Sequence, residues 1–279
     1  ILDIDDLAEQ LCVSSSTILK DVEAARRWVY QKLKLSLTCS LTKGIELIAN
    51  EKEKRILLSR ILTIKANSST ISKYSQYLDN DLQFLVDERY IQLVNDTCYA
   101  FELKMSGFST TLMIIEISLA SIRAFEGNPI NGYESNQALD SVIESLKEAY
   151  ERLSHRFLAH SEWLYLQDCF YAKQFIVPSN PKRLSTEEAE IIITAFIDLI
   201  PEFKHISESE KNYIANELRY TIPSMINRLR NNFCISNEIS EKYVANLSES
   251  LLKAEIIRDI LFSHLQLTPT LTELKYLFL

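Results

Sequence analysis

The stretch DIDDLAEQLCVSSSTILKDVEAARR, residues 3–27, has an order of apolar and polar residues that predicts a helix, a tight turn and a second helix. Leu7, Ala8 and Leu11 give the first helix one apolar face, Val13 plugs the turn, and Ile18, Val22, Ala25 and Val29 repeat at helical spacing on the second. Two helices that cross steeply need a small residue where their axes approach, and Ala8 supplies it. Ser14 stands at the N-cap position of the second helix. Ser15, Ser16, Thr17 and Lys20 then fall on its outward N-terminal part, where a recognition helix presents side chains to base edges and phosphates. An ordinary helical hairpin is the competing reading of these residues taken alone.

The residues after the second helix narrow the choice. Residues 33–37 and 45–48 are β-prone on either side of Thr42, Lys43 and Gly44, which predicts a two-stranded wing with Gly44 in its turn and Lys43 at its tip. A lysine there touches phosphate, adding affinity without sequence information, or is a solvated hairpin residue. Residues 51–62, EKEKRILLSRIL, begin a helix with its charges in the first turns.

The chain has 279 residues, of which 47% are apolar, with only 4 Gly and 6 Pro, a composition of long helices and few tight turns. Its net charge of −8 opposes nucleic-acid binding at first sight. The acidic excess, however, lies outside residues 1–63, where basic residues slightly outnumber acidic ones. Cys12, Cys39, Cys98, Cys169 and Cys234 are dispersed and form no CxxC pair, which suits a reducing cytoplasm and supports neither a disulfide framework nor a zinc site. The most apolar run, residues 112–122, is interrupted by Glu116 and is too short to span a bilayer, so no membrane association is expected. The opening ILDIDD enters the helix-turn-helix without the preceding helix that such a domain needs, and a missing first helix is expected.

Beyond residue 66 the pattern is helix after helix, over 78–103, 110–125, 139–158 and 162–175. Their apolar stripes, with Leu82, Leu85, Ile91, Leu93 and Tyr99 on the first, are read as bundle core. The stretch 176–183, IVPSNPKR, is the best linker. Ser185 to Glu188 forms a capping box for a helix through residue 200. Helices over 207–231, 239–265 and from 271 follow, the last opened by a capping box at Thr270 and Glu273.

The two helical blocks read as copies of one unit. IEISLASIRAFEGNPI around Arg123 can be laid on YTIPSMINRLRNNFCI around Arg228. Each continues through a long helix bearing a similar tripeptide, LSH at His155 and FSH at His264, to a final helix with a matching Glu162 or Glu273. The expected architecture is mainly α, with an N-terminal winged helix-turn-helix at 1–63 and two duplicated helical bundles at 66–176 and 184–279.

The order LAEQL, CV, SSSTI, KD resembles the helix-turn-helix of winged DNA-binding domains of the deoR-like type, in which the position of Cys12 is often Gly. With the G-x-x-L exit from the wing at Gly44, the R-x-x-x-G-N-x-I segment at Arg123 to Ile130 and the N-R-L-R segment at Asn227 to Arg230, nearly the whole chain resembles the PRD-containing bacterial transcription regulators. PRD is the regulatory domain read by the sugar phosphotransferase system. The resemblance implies a cytoplasmic homodimer on double-stranded DNA at a palindromic promoter site. It also implies a phosphocarrier protein or sugar permease subunit as a further partner, acting on PRD histidines. Those histidines are missing. The acceptor-equivalent positions hold Glu116, Cys169 and Thr221, and none of His155, His160, His205 or His264 occupies one. Glu116 imitates the charge of a phosphorylated histidine or is a buried carboxylate paired with an arginine such as Arg123. The Mga-type virulence activators depart from the histidine pattern in a similar way.

The leading expectation is a DNA-binding transcription regulator that reads base edges with Ser15, Ser16 and Thr17 and holds phosphates with Lys20, Lys43 and Arg26 or Arg27. The alternative is a protein-interaction sensor that no longer binds DNA and signals through its bundles. No phosphate-cradling Gly loop, metal-ligand spacing or nucleophile-base pattern is present, so no enzyme, metal or cofactor is expected.

Overall fold

The computed structural model describes residues 2–40, 44–67, 88–135, 138–176, 184, 186–233, 248–270 and 273–274. Among these the chain is mainly helical, with ten α-helices and one two-stranded sheet. It divides into two compact units, residues 1–62 and 63–279.

In the first unit, Asp3 caps α1 (Ile4–Gln10) by accepting from the backbone of Asp5 and Asp6, and Ser14 caps α2 (Ser15–Leu33) by accepting from Thr17 N. Ile4 and Ala8 of α1 pack on Ile18 and Val22 of α2, with Ile45 closing the cluster. The turn between the helices is set by Cys12, whose φ of 53° lies in the left-handed region that Gly adopts without strain. Three expected core positions differ. Leu11 is 59% and Val13 41% exposed, because the chain turns away at Cys12 and Ile4, a turn or two earlier, fills the crossing instead. Ala25 is exposed because α2 serves two separate cores, and Ala25 falls between them.

The second of those cores joins Val29 and Leu35 to Leu57 of α3 (Glu51–Asn67). Asn50 and Glu53 cap α3 reciprocally, Glu53 N donating to Asn50 Oδ1 at 2.9 Å and Asn50 N to Glu53 Oε2 at 2.8 Å. Between α2 and α3, β1 (Ser36–Ser40) pairs antiparallel with β2 (Gly44–Ile48), in register from Ser36 opposite Ile48 to Ser40 opposite Gly44. The first strand starts later than residue 33 because Leu33 ends α2 and Lys34 caps it at a φ of 57°. Leu2 also bridges Ile45 through hydrogen bonds of 3.0 and 2.7 Å, an isolated antiparallel bridge that ties the start of the chain to β2. The wing tip, with Lys43, lies outside the described residues.

The second unit holds α4 (Glu88–Ala100), α5 (Gly107–Phe125), α6 (Ser141–Ser154), α7 (His160–Tyr171), α8 (Glu187–Leu199), α9 (Glu208–Asn231) and α10 (Ser248–Leu265). In the first block α4 packs on α5 and α6, and α7 packs on both of these; in the second, α8 packs on α9 and α10. Met113 to Ser121 are buried all round α5, so it is a central helix rather than one with an apolar stripe. It is the one described helix long and apolar enough to cross a membrane, and most of it is buried inside the unit. Tyr99, expected in the core, is 86% exposed near the end of α4.

The two blocks share closing geometry. Asn128 N donates to Arg123 O at 2.8 Å and Phe233 N to Arg228 O at 2.9 Å, with Gly127 and Asn232 at positive φ in the same relative place. His155 ends α6 and Gln266 follows the end of α10, again at positive φ, and they stand at the same distance before Glu162 and Glu273. In this geometry it is Gln266, two residues beyond His264, that stands in the place of His155. The cap of α8 is Thr186, accepting from Ala189 N, rather than Ser185, which lies outside the described residues along with most of the expected linker. Ser207 and Glu210 make a complete capping box on α9.

Candidate functional site

Two places hold the residues singled out by the sequence. The first is the outer face of α2. Ser16, Lys20 and Arg27 are exposed at helical spacing along one stripe, with Thr17 beside them. Ser14 organises the start of this face, since its hydroxyl lies 2.8 Å from that of Ser16 and 2.9 Å from that of Thr17. Two of the expected contacts are spent inside the unit. Ser15 donates to Asp5 Oδ1 at 2.7 Å, and this ties the start of α2 to α1. Arg26 donates through Nε to Leu37 O at 3.0 Å and pairs with Glu23, which makes it a strut between α2 and β1. Arg27, one position on, points outward. Sequence spacing alone does not distinguish the two arginines, because the difference is set by where β1 lies.

The second place lies within the larger unit, where the first block meets the second. Glu116, alone among apolar neighbours on α5, is buried with its Oε2 2.5 Å from Lys173 Nζ, and both side chains are almost wholly enclosed. Its partner is thus Lys173 and not Arg123, whose guanidinium lies 3.3 Å from Glu126. Cys169 on α7 lies beside the Glu116 carboxylate, so two of the three positions singled out through the resemblance adjoin. Burial holds the Glu116 pKa above the ordinary carboxylate range, although Lys173 and Cys169 pull it back. Burial, reinforced by the Glu116 charge, pushes the Cys169 thiol well up, which keeps it protonated and unreactive.

Lys173 sits just past α7, and its turn is gripped from α9. Ser224 Oγ donates to Lys173 O at 2.8 Å, and Arg228 Nη1 donates to Ala172 O at 2.9 Å. The rest of the Arg228 guanidinium makes a bidentate pair with Glu273, at 2.9 and 2.8 Å, both side chains buried. Thr221, the third acceptor-equivalent position, lies one turn before Ser224 on α9 and is partly buried, its hydroxyl 3.3 Å from Leu218 O. A second link joins the blocks nearby, where the Tyr133 hydroxyl lies 2.6 Å from Asp168 Oδ2 and 2.8 Å from Asn231 Oδ1. All four histidines are exposed.

Lys173 and Ser224 were missed by sequence reasoning. A lone carboxylate in an apolar helix demands a cation, and Lys173 stands one helical turn after Cys169. That pairing was a findable signal. Ser224 carried none, since its role depends on a backbone carbonyl. Among the described residues no cluster of His, Cys, Asp and Glu is arranged to hold a metal ion. The chain matches no protein-family model and no curated protein.

Proposed function

We propose that the protein is a DNA-binding transcription regulator whose first unit, a winged helix-turn-helix, places α2 in the major groove and whose PRD-like helical blocks sense a signal. The observation that carries this is the exposed stripe of Ser16, Thr17, Lys20 and Arg27 on a helix capped by Ser14 and braced by Ala8. Leu2 bridging the returning strand of the ribbon supports the winged form, because helix, turn, helix and ribbon follow in one order and the chain before α1 is tied to the ribbon. Lys20 and Arg27 supply salt-dependent phosphate contacts, and Ser16 and Thr17 approach base edges. The matched closures at Arg123 and Arg228 support duplication of a PRD-like block. On this reading the protein is a cytoplasmic homodimer on a palindromic site, and its acceptor-equivalent positions hold no histidine but a buried carboxyl beside Lys173, a buried thiol and a threonine, so control does not run through histidine phosphorylation.

The engagement of Ser15 and Arg26 inside the first unit favours the second reading, a sensor that no longer binds DNA, to the extent that it thins the contact surface. Titration of a labelled genomic duplex pool with the intact protein at several salt concentrations separates the two. A regulator retains a subset of sequences with an affinity that falls steeply with salt. A sensor that has lost DNA binding retains none.

A further inference from the structure

We propose that the turn after α7, Ala172 and Lys173, is a coupling element that transmits the state of Glu116 in the first block to the Arg228–Glu273 pair in the second. This does not rest on the DNA-binding reading. The side chain of Lys173 answers to Glu116 at 2.5 Å, while the carbonyls of Lys173 and Ala172 are held by Ser224 and Arg228 from α9. One short turn is thus fixed from both sides by buried polar contacts. Neither set can shift without disturbing the other, since a buried donor or ion left without its partner is strongly unfavourable. Arg228 extends the path, because the same guanidinium that grips Ala172 O also grips Glu273. The route is continuous from α5 through the end of α7 to α9 and the last described residues, and every step is a named hydrogen bond or ion pair. It reaches both acceptor-equivalent sites of the first block and passes one turn from that of the second.

The test is peptide-resolved hydrogen exchange on the full chain, comparing Lys173→Met, Ser224→Ala and wild type with a control, Cys98→Ala, which opens a cavity in the apolar core of the first block and removes none of these polar contacts. Coupling predicts that Lys173→Met speeds exchange in the second half of α9 by about tenfold relative to the control. By reciprocity, Ser224→Ala should raise the rate at which Cys169, beside Glu116, is labelled by a thiol reagent, severalfold over its rate in the control. Two outcomes overturn the proposal: exchange in α9 unchanged by Lys173→Met, or speeded equally by Cys98→Ala, which would mean the blocks share only global stability.

Discussion

Glu116 and Lys173 show why a buried ion pair is weak evidence of stability. Removing Lys173 leaves a carboxylate buried without its cation, and Lys173→Met should destabilise the second unit by about 3–5 kcal/mol. Joining it to Glu116→Leu should recover most of that loss, because an apolar pair of similar volume needs no desolvation of charge; chemical-denaturation midpoints of the two variants check this. The sign of the pH dependence follows from burial. An acid whose pKa is higher in the folded chain holds its proton more firmly there, so its contribution to stability is complete below the ordinary carboxylate range and is lost as pH rises through the folded value. Glu188 runs the other way, since its hydrogen bonds from Arg230 hold its pKa low and its contribution is lost on acidification. Urea midpoints measured from about pH 4 to about pH 8 should therefore fall less with rising pH in Glu116→Gln than in wild type. That Glu116 and Cys169 lie on helices was legible in the sequence. Their contact with each other was not, because it depends on how α5 and α7 meet.

At the scale of the element, α2 divides its side chains between an exposed outer stripe, proposed to meet DNA, and bracing contacts inside the unit. Lys20→Glu should remove DNA retention without lowering the melting temperature, since Lys20 is exposed. Arg27→Ala should reduce the slope of log affinity against log salt by about 1, the share of one phosphate contact. Arg26→Ala should instead destabilise the first unit, because its bond to Leu37 O is lost. Cys12→Gly relieves a left-handed conformation that L-residues adopt at a cost, and should stabilise this unit by about 1 kcal/mol in a thermal melt. The order of helix, turn, helix and ribbon was legible in residues 3–48, and so was the odd turn residue. Leu11, Val13 and Ala25 were misread because helical periodicity gives a face but not where the partner helix ends. The cap at Thr186 was misread for a similar reason: two adjacent hydroxyl residues offer the same motif, and only the backbone chooses between them.

At the scale of the molecule, the two helical blocks lie within one compact unit, residues 63–279. The similarity of the Arg123 and Arg228 helix ends was readable in the sequence because a helix end imposes its own residue requirements, a left-handed position following the arginine by a fixed count. The left-handed positions at His155 and Gln266, each seven residues before Glu162 or Glu273, carry unrelated letters and were not readable in the sequence. The surfaces joining the blocks were not legible at all, since Ser224 and Asn231 meet backbone or side chains far away in the chain.

The central claim is that α2 reads DNA, and selection of genomic DNA fragments by the intact protein, against a Ser16→Glu, Lys20→Glu control of equal thermal stability, tests it most directly. DNA reading by α2 predicts enrichment of a palindromic site by the wild type that the control loses. Recovery of the same fragments by both proteins, or of none by either, would contradict it.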